Sequence, residues 1–80
     1  MLKFNSEKKN ELFVSINNTL FLYKCDLDGA HLLRHHTFNA NVASMAQDKD
    51  TLFLGCDNDS LLIYDLPAGK VIDEWTDFVP

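Results

Sequence analysis

The feature that most constrains this chain is an internal repeat of about 40 residues, which divides its 80 residues into two halves. An offset of 40 positions places Leu12-Phe13-Val14 on Leu52-Phe53-Leu54. One extra residue in the second half then places residues 20–23 (LFLY) on residues 61–64 (LLIY). Self-similarity at this period indicates a supersecondary unit that stacks on its neighbours. We therefore expect two repeat units, residues 1–40 and residues 41–80.

Each unit contains four short apolar segments separated by turn residues. The offset of 40 continues outward and places Leu2 on Val42, Gly29 on Gly69, and residues 31–33 on residues 71–73. Asn17-Asn18-Thr19 and Asp57-Asn58-Asp59 separate the second and third segments of their units, and Asn and Asp favour tight turns. The pattern predicts an all-β chain with four antiparallel strands in each unit.

Residues 42–47 are the one segment with a competing interpretation. Asn41 is suited to cap a short helix at this position. Six residues are too few for a helix that is stable alone, and the repeat assigns a strand here. We expect a strand.

Several strands are apolar on both faces. A sheet with one face in water alternates apolar and polar residues, whereas residues 12–14, 20–23 and 61–64 are continuously apolar. Two four-stranded sheets stacked on each other would cover one face each and leave the other exposed over roughly a few hundred Å². The sequence therefore predicts that the two units need further neighbours.

Residues 55–70, GCDNDSLLIYDLPAGK, resemble the second half of a WD repeat. Tyr64-Asp65 stands where the name-giving Trp-Asp pair falls in that family, and Tyr23-Lys24 replaces the pair in the first unit. The Gly-His pair of the family would fall near Thr37-Phe38 and is absent, and Asn58 stands where a turn aspartate is usual. The family's buried hydrogen-bond network is therefore not carried over to this chain.

The resemblance implies two propeller-type blades of an incomplete ring, because a propeller has about four to eight blades. The missing blades would come from the same chain, from another chain or from further copies of this one. It implies a non-enzymatic protein-protein interaction scaffold, and the alternative is a structural fragment that closes a ring with its own copies. WD-repeat propellers usually bind partners with one rim, which by position would contain Asn17, Asn18, Phe38, Asn39, Asn41, Asp57 and Asp59. This rim is polar and acidic, which favours a basic protein surface as partner.

Trp75 and Phe78 follow the last predicted strand. One interpretation places them beneath a neighbouring blade, and the other makes them anchors for a partner, since buried aromatic residues dominate interface energies. Both interpretations stay open, because the neighbouring blade and the partner can be the same molecule.

The distribution of charge and the composition indicate which partners and which cellular compartment to expect. Residues 1–40 carry a net charge of +1 and residues 41–80 a net charge of −6. The acidic half repels phosphate, so we expect no direct contact with nucleic acid. No apolar run approaches the ~20 residues that span a bilayer, and the N-terminus lacks the pattern of a secretory signal. We expect an intracellular protein, cytoplasmic or nuclear, that does not bind membranes.

The residues that often carry chemistry show no functional spacing. Cys25 and Cys56 are too few for a disulfide scaffold, and a reducing compartment favours free thiols. Adjacent residues of a strand point to opposite faces, so His35 and His36 do not share a metal ion. No nucleophile elbow, phosphate-binding loop or zinc motif is present in the sequence. We expect no enzyme, no metal and no cofactor.

Overall fold

A computed structural model describes residues 1–77, which form two four-stranded antiparallel sheets. The first sheet has the order β1-β2-β3-β4 and the second has the order β5-β6-β7-β8, so every strand pairs with its neighbour along the chain. Neither sheet is closed, and residues 1–77 contain no helix. The strands are β1 Leu2–Phe4, β2 Glu11–Ile16, β3 Thr19–Asp26, β4 Gly29–Thr37, β5 Val42–Asp48, β6 Thr51–Cys56, β7 Leu61–Asp65 and β8 Lys70–Trp75. The all-β prediction with four strands in each half is confirmed.

Residues 42–47 form a strand, as expected. They lie within β5, which pairs with β6 from Val42–Cys56 to Asp48–Thr51. The turn that follows places Lys49 at a positive φ of 52°. A strand prevails over the short helix because pairing with β6 satisfies backbone groups that a six-residue helix would leave largely unpaired.

The two sheets stack face to face across an interface that we call the seam. One cluster of buried apolar side chains joins them, formed by Phe13, Leu20 and Leu22 of the first sheet and Leu52, Leu54, Leu62 and Tyr64 of the second. Phe13, Leu52 and Leu54 are completely excluded from solvent. The hydrophobic core of the chain is therefore the seam between the sheets.

At the first and last strands of each sheet, the residues that correspond differ from those that a constant offset of 40 aligns. Leu2 pairs with Val14 and Met45 pairs with Leu54, so Leu2 corresponds to Met45 and not to Val42. The loop between β1 and β2 is longer than the turn between β5 and β6, which shifts the alignment. Similarly, Leu32 corresponds to Val71, because Leu32 pairs with Tyr23 and Val71 pairs with Tyr64. Loop length, which an ungapped offset ignores, causes both differences.

The last strand of each sheet contains a β-bulge at the same place. In β4, Arg34 and Leu32 pair with consecutive residues of β3, so Leu33 is the additional residue. In β8, Ile72 is the additional residue in the same way. Both bulged side chains are about half exposed. A bulge changes which side chains of an edge strand face the seam, and here it does so identically in both units.

Candidate interaction surfaces

The rim residues named from the sequence lie together at one end of the two sheets. We call this surface the link rim; it comprises the turn at residues 17–18, the link at residues 38–41 and the turn at residues 57–60. Backbone hydrogen bonds connect its parts: Phe38 N donates to Asn18 O at 2.8 Å, and Val42 N donates to Asn17 O at 2.8 Å. Asn41 N donates to the Asp57 carboxylate at 3.2 Å. The link rim is thus one hydrogen-bonded surface.

The side chains of the link rim differ in exposure. Asn17, Asn39, Asn41, Asp57 and Asp59 are exposed. Phe38 packs against the seam cluster and is only partly exposed. Asn17 and Asp59 have positive φ values of 54° and 62°, which Asn and Asp tolerate better than most residues. The exposed part of this surface is therefore polar and acidic, with an aromatic ring beneath it.

A cleft of about 210 Å³ opens beside the link rim between the two sheets. It is lined by residues of the link, by the β6–β7 turn and by Cys56, Leu62, Val71 and Glu74. Partial burial raises the pKa of the Cys56 thiol, and the charges of Asp57 and Glu74 raise it further. These effects favour the protonated thiol, which is a poor nucleophile. Cys56 therefore behaves as an apolar wall residue.

The opposite rim holds a polar contact between the sheets that the sequence did not indicate. Gln47 Nε2 donates to Asn5 Oδ1 at 2.6 Å, and Ser6 N donates to Gln47 Oε1 at 2.8 Å. Asn5 also accepts a hydrogen bond from Glu7 N at 2.9 Å and is 95% buried, with 5% of its surface exposed. We call this contact the Asn5–Gln47 clasp. In the sequence these residues are an ordinary loop residue and the end of a strand, and no spacing signal links them.

Tyr64 is the most enclosed polar side chain of the seam. Its hydroxyl makes no hydrogen bond, and 1% of the residue is exposed. Burial raises the pKa of the Tyr64 hydroxyl, and the nearby Arg34 guanidinium offsets part of that increase. Burial also lowers the pKa of His36, and the charges of Arg34 and His35 lower it further. Both effects favour the uncharged forms of Tyr64 and His36 near pH 7.

The first sheet turns a largely apolar surface away from the seam. Cross-strand partners share a face, so the registers define two rows across all four strands. We call this surface the first outer face; its rows are Leu2, Val14, Phe21 and His35, and Phe4, Leu12, Tyr23 and Leu32. Leu2 is 69% exposed, Phe4 64% and Leu32 52%. Seven of these eight side chains are aliphatic or aromatic, and His35 is the eighth, as the sequence predicted for an uncovered sheet.

The second sheet also has an uncovered face, with Trp75 at its edge. We call it the second outer face; its rows are Ala46, Phe53, Ile63 and Asp73, and Ser44, Gly55, Leu61 and Trp75. Trp75 is 52% exposed, and its indole Nε1 donates to the Asp73 carboxylate at 3.1 Å. Phe78, which the sequence named with Trp75, lies outside the described residues. Trp75 is therefore anchored on an uncovered sheet face and not in the seam.

The histidines and cysteines are dispersed. His35 and His36 lie on opposite faces of β4, as expected, and His31 lies 3.4 Å from the Asp26 carboxylate at the β3–β4 turn. Cys25 and Cys56 are both free thiols. Among residues 1–77, no three His, Cys, Asp or Glu side chains lie close enough together to hold a metal ion.

Comparison with known proteins adds no family assignment. No protein-family model matches the chain, and no curated protein matches it. The part of the chain that the structure describes contains no helix that is both long and apolar enough to cross a membrane.

Proposed function

We propose that the chain is a non-enzymatic protein-interaction scaffold formed by two WD-repeat-like propeller blades. The observation that carries the proposal is the first outer face, in which two largely apolar rows cross all four strands of a sheet. Side chains that would be buried between blades are exposed on this surface, such as Phe4 at 64%. Contiguous apolar surface of this kind is typical of protein-protein contact sites.

The partner is a second apolar sheet, belonging to further blades of the same propeller or to another copy of the chain. Stacked sheets pack at about 10 Å with interdigitated side chains, and the flat rows of the first outer face suit that arrangement. The seam is an example within the chain, because it buries the same kinds of side chain between two sheets.

The link rim is the second contact surface in this proposal. Asp57 and Asp59 are exposed on it, and the second half of the sequence carries a net charge of −6. Complementary charge increases association rates and selects partners, so a basic protein surface suits this rim. We place the protein inside the cell, in the cytoplasm or nucleus, without direct contact with nucleic acid or membrane.

Site-specific photo-crosslinking in cells tests the proposal. A photoreactive phenylalanine analogue replaces Phe4 on the first outer face, and in a second variant it replaces Trp75. The control position is Leu27, which is fully exposed at the β3–β4 turn and lies on neither outer face. We expect covalent polypeptide adducts from Phe4 and Trp75 and none from Leu27, with the crosslinked peptide an apolar β-strand. Absence of adducts at both face positions, or equal yields at Leu27, would contradict the proposal.

A further inference from the structure

The two outer faces repeat the two faces that meet in the seam. Tyr23 of the first outer face occupies the same place in its sheet as Tyr64, which is buried in the seam. Phe53 of the second outer face occupies the place of Phe13, which is also buried there. The registers give the further equivalents Leu12 with Leu52, Val14 with Leu54, Phe21 with Leu62, Leu20 with Leu61, Leu22 with Ile63, and His36 with Trp75.

The outer faces are less polar than their buried equivalents. The second outer face has Ala46, Gly55 and Trp75 where the seam face of the first sheet has Lys3, Ser15 and His36. The first outer face has Phe4 where the seam face of the second sheet has Gln47. Asp73 replaces Arg34, so a charge remains at that position. One substitution runs the other way, because Ser44 stands where the first sheet has Met1. Two faces adapted to water would show the opposite trend.

We infer that the partner of each outer face is the other outer face of a second copy of this chain. The first outer face of one copy would stack on the second outer face of the next, in the arrangement that the seam already shows. This inference rests on the proposed function, because it names the partner of the surfaces on which that proposal depends. Its basis is the seam, an interface between two sheets that already exists within the chain and whose two faces recur on the outer surfaces.

The seam identifies the contacts between copies. His36 contacts Tyr64 with ring centroids 5.1 Å apart, so Trp75 contacts Tyr23 of a second copy in the equivalent place. Phe13 lies in one buried cluster with Leu52 and Leu54, so Phe53 contacts Leu12 and Val14 of a second copy. Ile63 of the second outer face is already buried within one chain, whereas the partly exposed Phe53, Leu12 and Val14 become buried in this arrangement.

One seam contact has no equivalent between copies. At the contact between copies, Asp48 of one copy takes the position of Asn5, and Phe4 of the next takes the position of Gln47. The phenylalanine side chain cannot form this hydrogen bond. The contact between copies therefore depends on apolar and aromatic packing. The separation of charge, +1 in the first half and −6 in the second, favours the head-to-tail orientation. We expect association that is reversible and depends on concentration.

This contact is heterologous, because it joins two different surfaces. Such contacts form a closed ring when the rotation between copies closes, and an open chain otherwise. Propellers have about four to eight blades, so a ring of two-blade chains contains about two to four copies. With 9.1 kDa for each chain, the particle would have a mass of about 18 to 36 kDa.

A complementation experiment tests the inference by native mass in dilute solution. Leu32→Glu places a charge on the first outer face, and Trp75→Glu places one on the second; each of these side chains is 52% exposed, so both variants should fold. The matched control is Leu27→Glu, the same change at a fully exposed site on neither face. We expect the wild type and Leu27→Glu to contain two or more chains per particle. Each face variant alone should be a folded monomer of 9.1 kDa.

The decisive sample is an equimolar mixture of the two face variants. Trp75→Glu retains an intact first outer face and Leu32→Glu an intact second outer face, so the mixture should form a one-to-one dimer and nothing larger. A monomeric, unfolded or aggregated wild type would overturn the inference, as would self-association of either variant or a mixture that stays monomeric. Circular dichroism of each sample separates loss of folding from loss of association.

The two proposals fail in different ways. Photo-crosslinks from Phe4 and Trp75 to an unrelated polypeptide, together with a monomeric wild type, would overturn the second-copy inference and support the interaction scaffold. Absence of any face-specific crosslink would overturn the scaffold itself.

Discussion

Tyr64 and His36 contact each other edge to face across the seam, with ring centroids 5.1 Å apart and ring planes at 70°. Tyr64 belongs to the second sheet and His36 to the last strand of the first, so this pair joins the two repeats. Edge-to-face aromatic pairs contribute about 0.5–1.5 kcal/mol beyond the area they bury. Trp75 and Tyr23 occupy the equivalent positions on the two outer faces, where the inferred contact between copies would bring them together.

Tyr64→Phe should stabilise the chain. The substitution keeps the ring against His36 and removes a buried hydroxyl that has no hydrogen-bond partner. Burial of an unsatisfied polar group costs about 1–3 kcal/mol, so we expect the free energy of unfolding to rise by about 1 kcal/mol. Urea unfolding at a fixed chain concentration measures it. The control is Tyr23→Phe, with both substitutions measured in the monomeric Trp75→Glu variant, where Tyr23 stays partly exposed. An equal gain there would contradict the explanation.

Acidification should destabilise the fold through His36. Burial against Tyr64, with Arg34 nearby, lowers the pKa of His36 in the folded chain. In the unfolded chain a histidine has a pKa of about 6.5, so below that pH the unfolded state binds a proton that the folded state does not. Stability is therefore complete above about pH 6.5 and falls as the pH drops toward the lowered pKa.

The pH dependence is assigned by comparing variants. In His36→Asn the unfolding free energy should fall less between pH 7 and pH 5 than in the wild type. His35→Asn, which changes the histidine on the opposite face of β4, should retain most of the wild-type fall, because the charge of His35 contributes less to the lowered pKa of His36 than burial and Arg34 do. Identical slopes for His36→Asn and the wild type would assign the acid sensitivity to another group.

Phe13→Ala and Phe53→Ala should have very different consequences although the repeat aligns them. Phe13 is completely buried, so its truncation should cost about 3–5 kcal/mol and unfold a domain of this size. Phe53 lies on the second outer face and is partly exposed, so its truncation should cost about 1 kcal/mol of folding free energy and weaken association between copies. Thermal unfolding and native mass provide the comparison. Equal destabilisation would show that Phe53 is already buried within one chain.

The Asn5–Gln47 clasp should couple the two sheets energetically. Asn5→Ala, Gln47→Ala and the double variant form a double-mutant cycle, for which we expect a coupling energy of about 0.5–3 kcal/mol. The physical reason is that either single change leaves a polar group of the other residue without its partner. Asn10→Ala, an exposed asparagine of the same loop, should change stability by less than about 0.5 kcal/mol. Additive effects of the two single changes would mean that the clasp contributes no coupling.

The sequence alone predicted the strands and the presence of uncovered sheet faces. Alternating turns and short β-rich segments specify strands locally, and continuous apolar runs such as Leu61-Leu62-Ile63-Tyr64 require cover on both sides of a sheet. The residues of the link rim were named from the resemblance to WD repeats, by their positions in the turns and in the link. Turn residues and continuous apolar runs are local features, so they can be identified directly in the sequence.

Tertiary structure decided which faces meet and which stay uncovered. Both faces of the first sheet are apolar, and only the packing places Phe13 in the seam and Phe21 outside it. The bulges at Leu33 and Ile72, the changed register of β1 and β4, and the Asn5–Gln47 clasp depend on loop lengths and on contacts between distant residues. A comparison of the two halves without gaps cannot show these features, because they depend on loop lengths and on which distant residues come into contact.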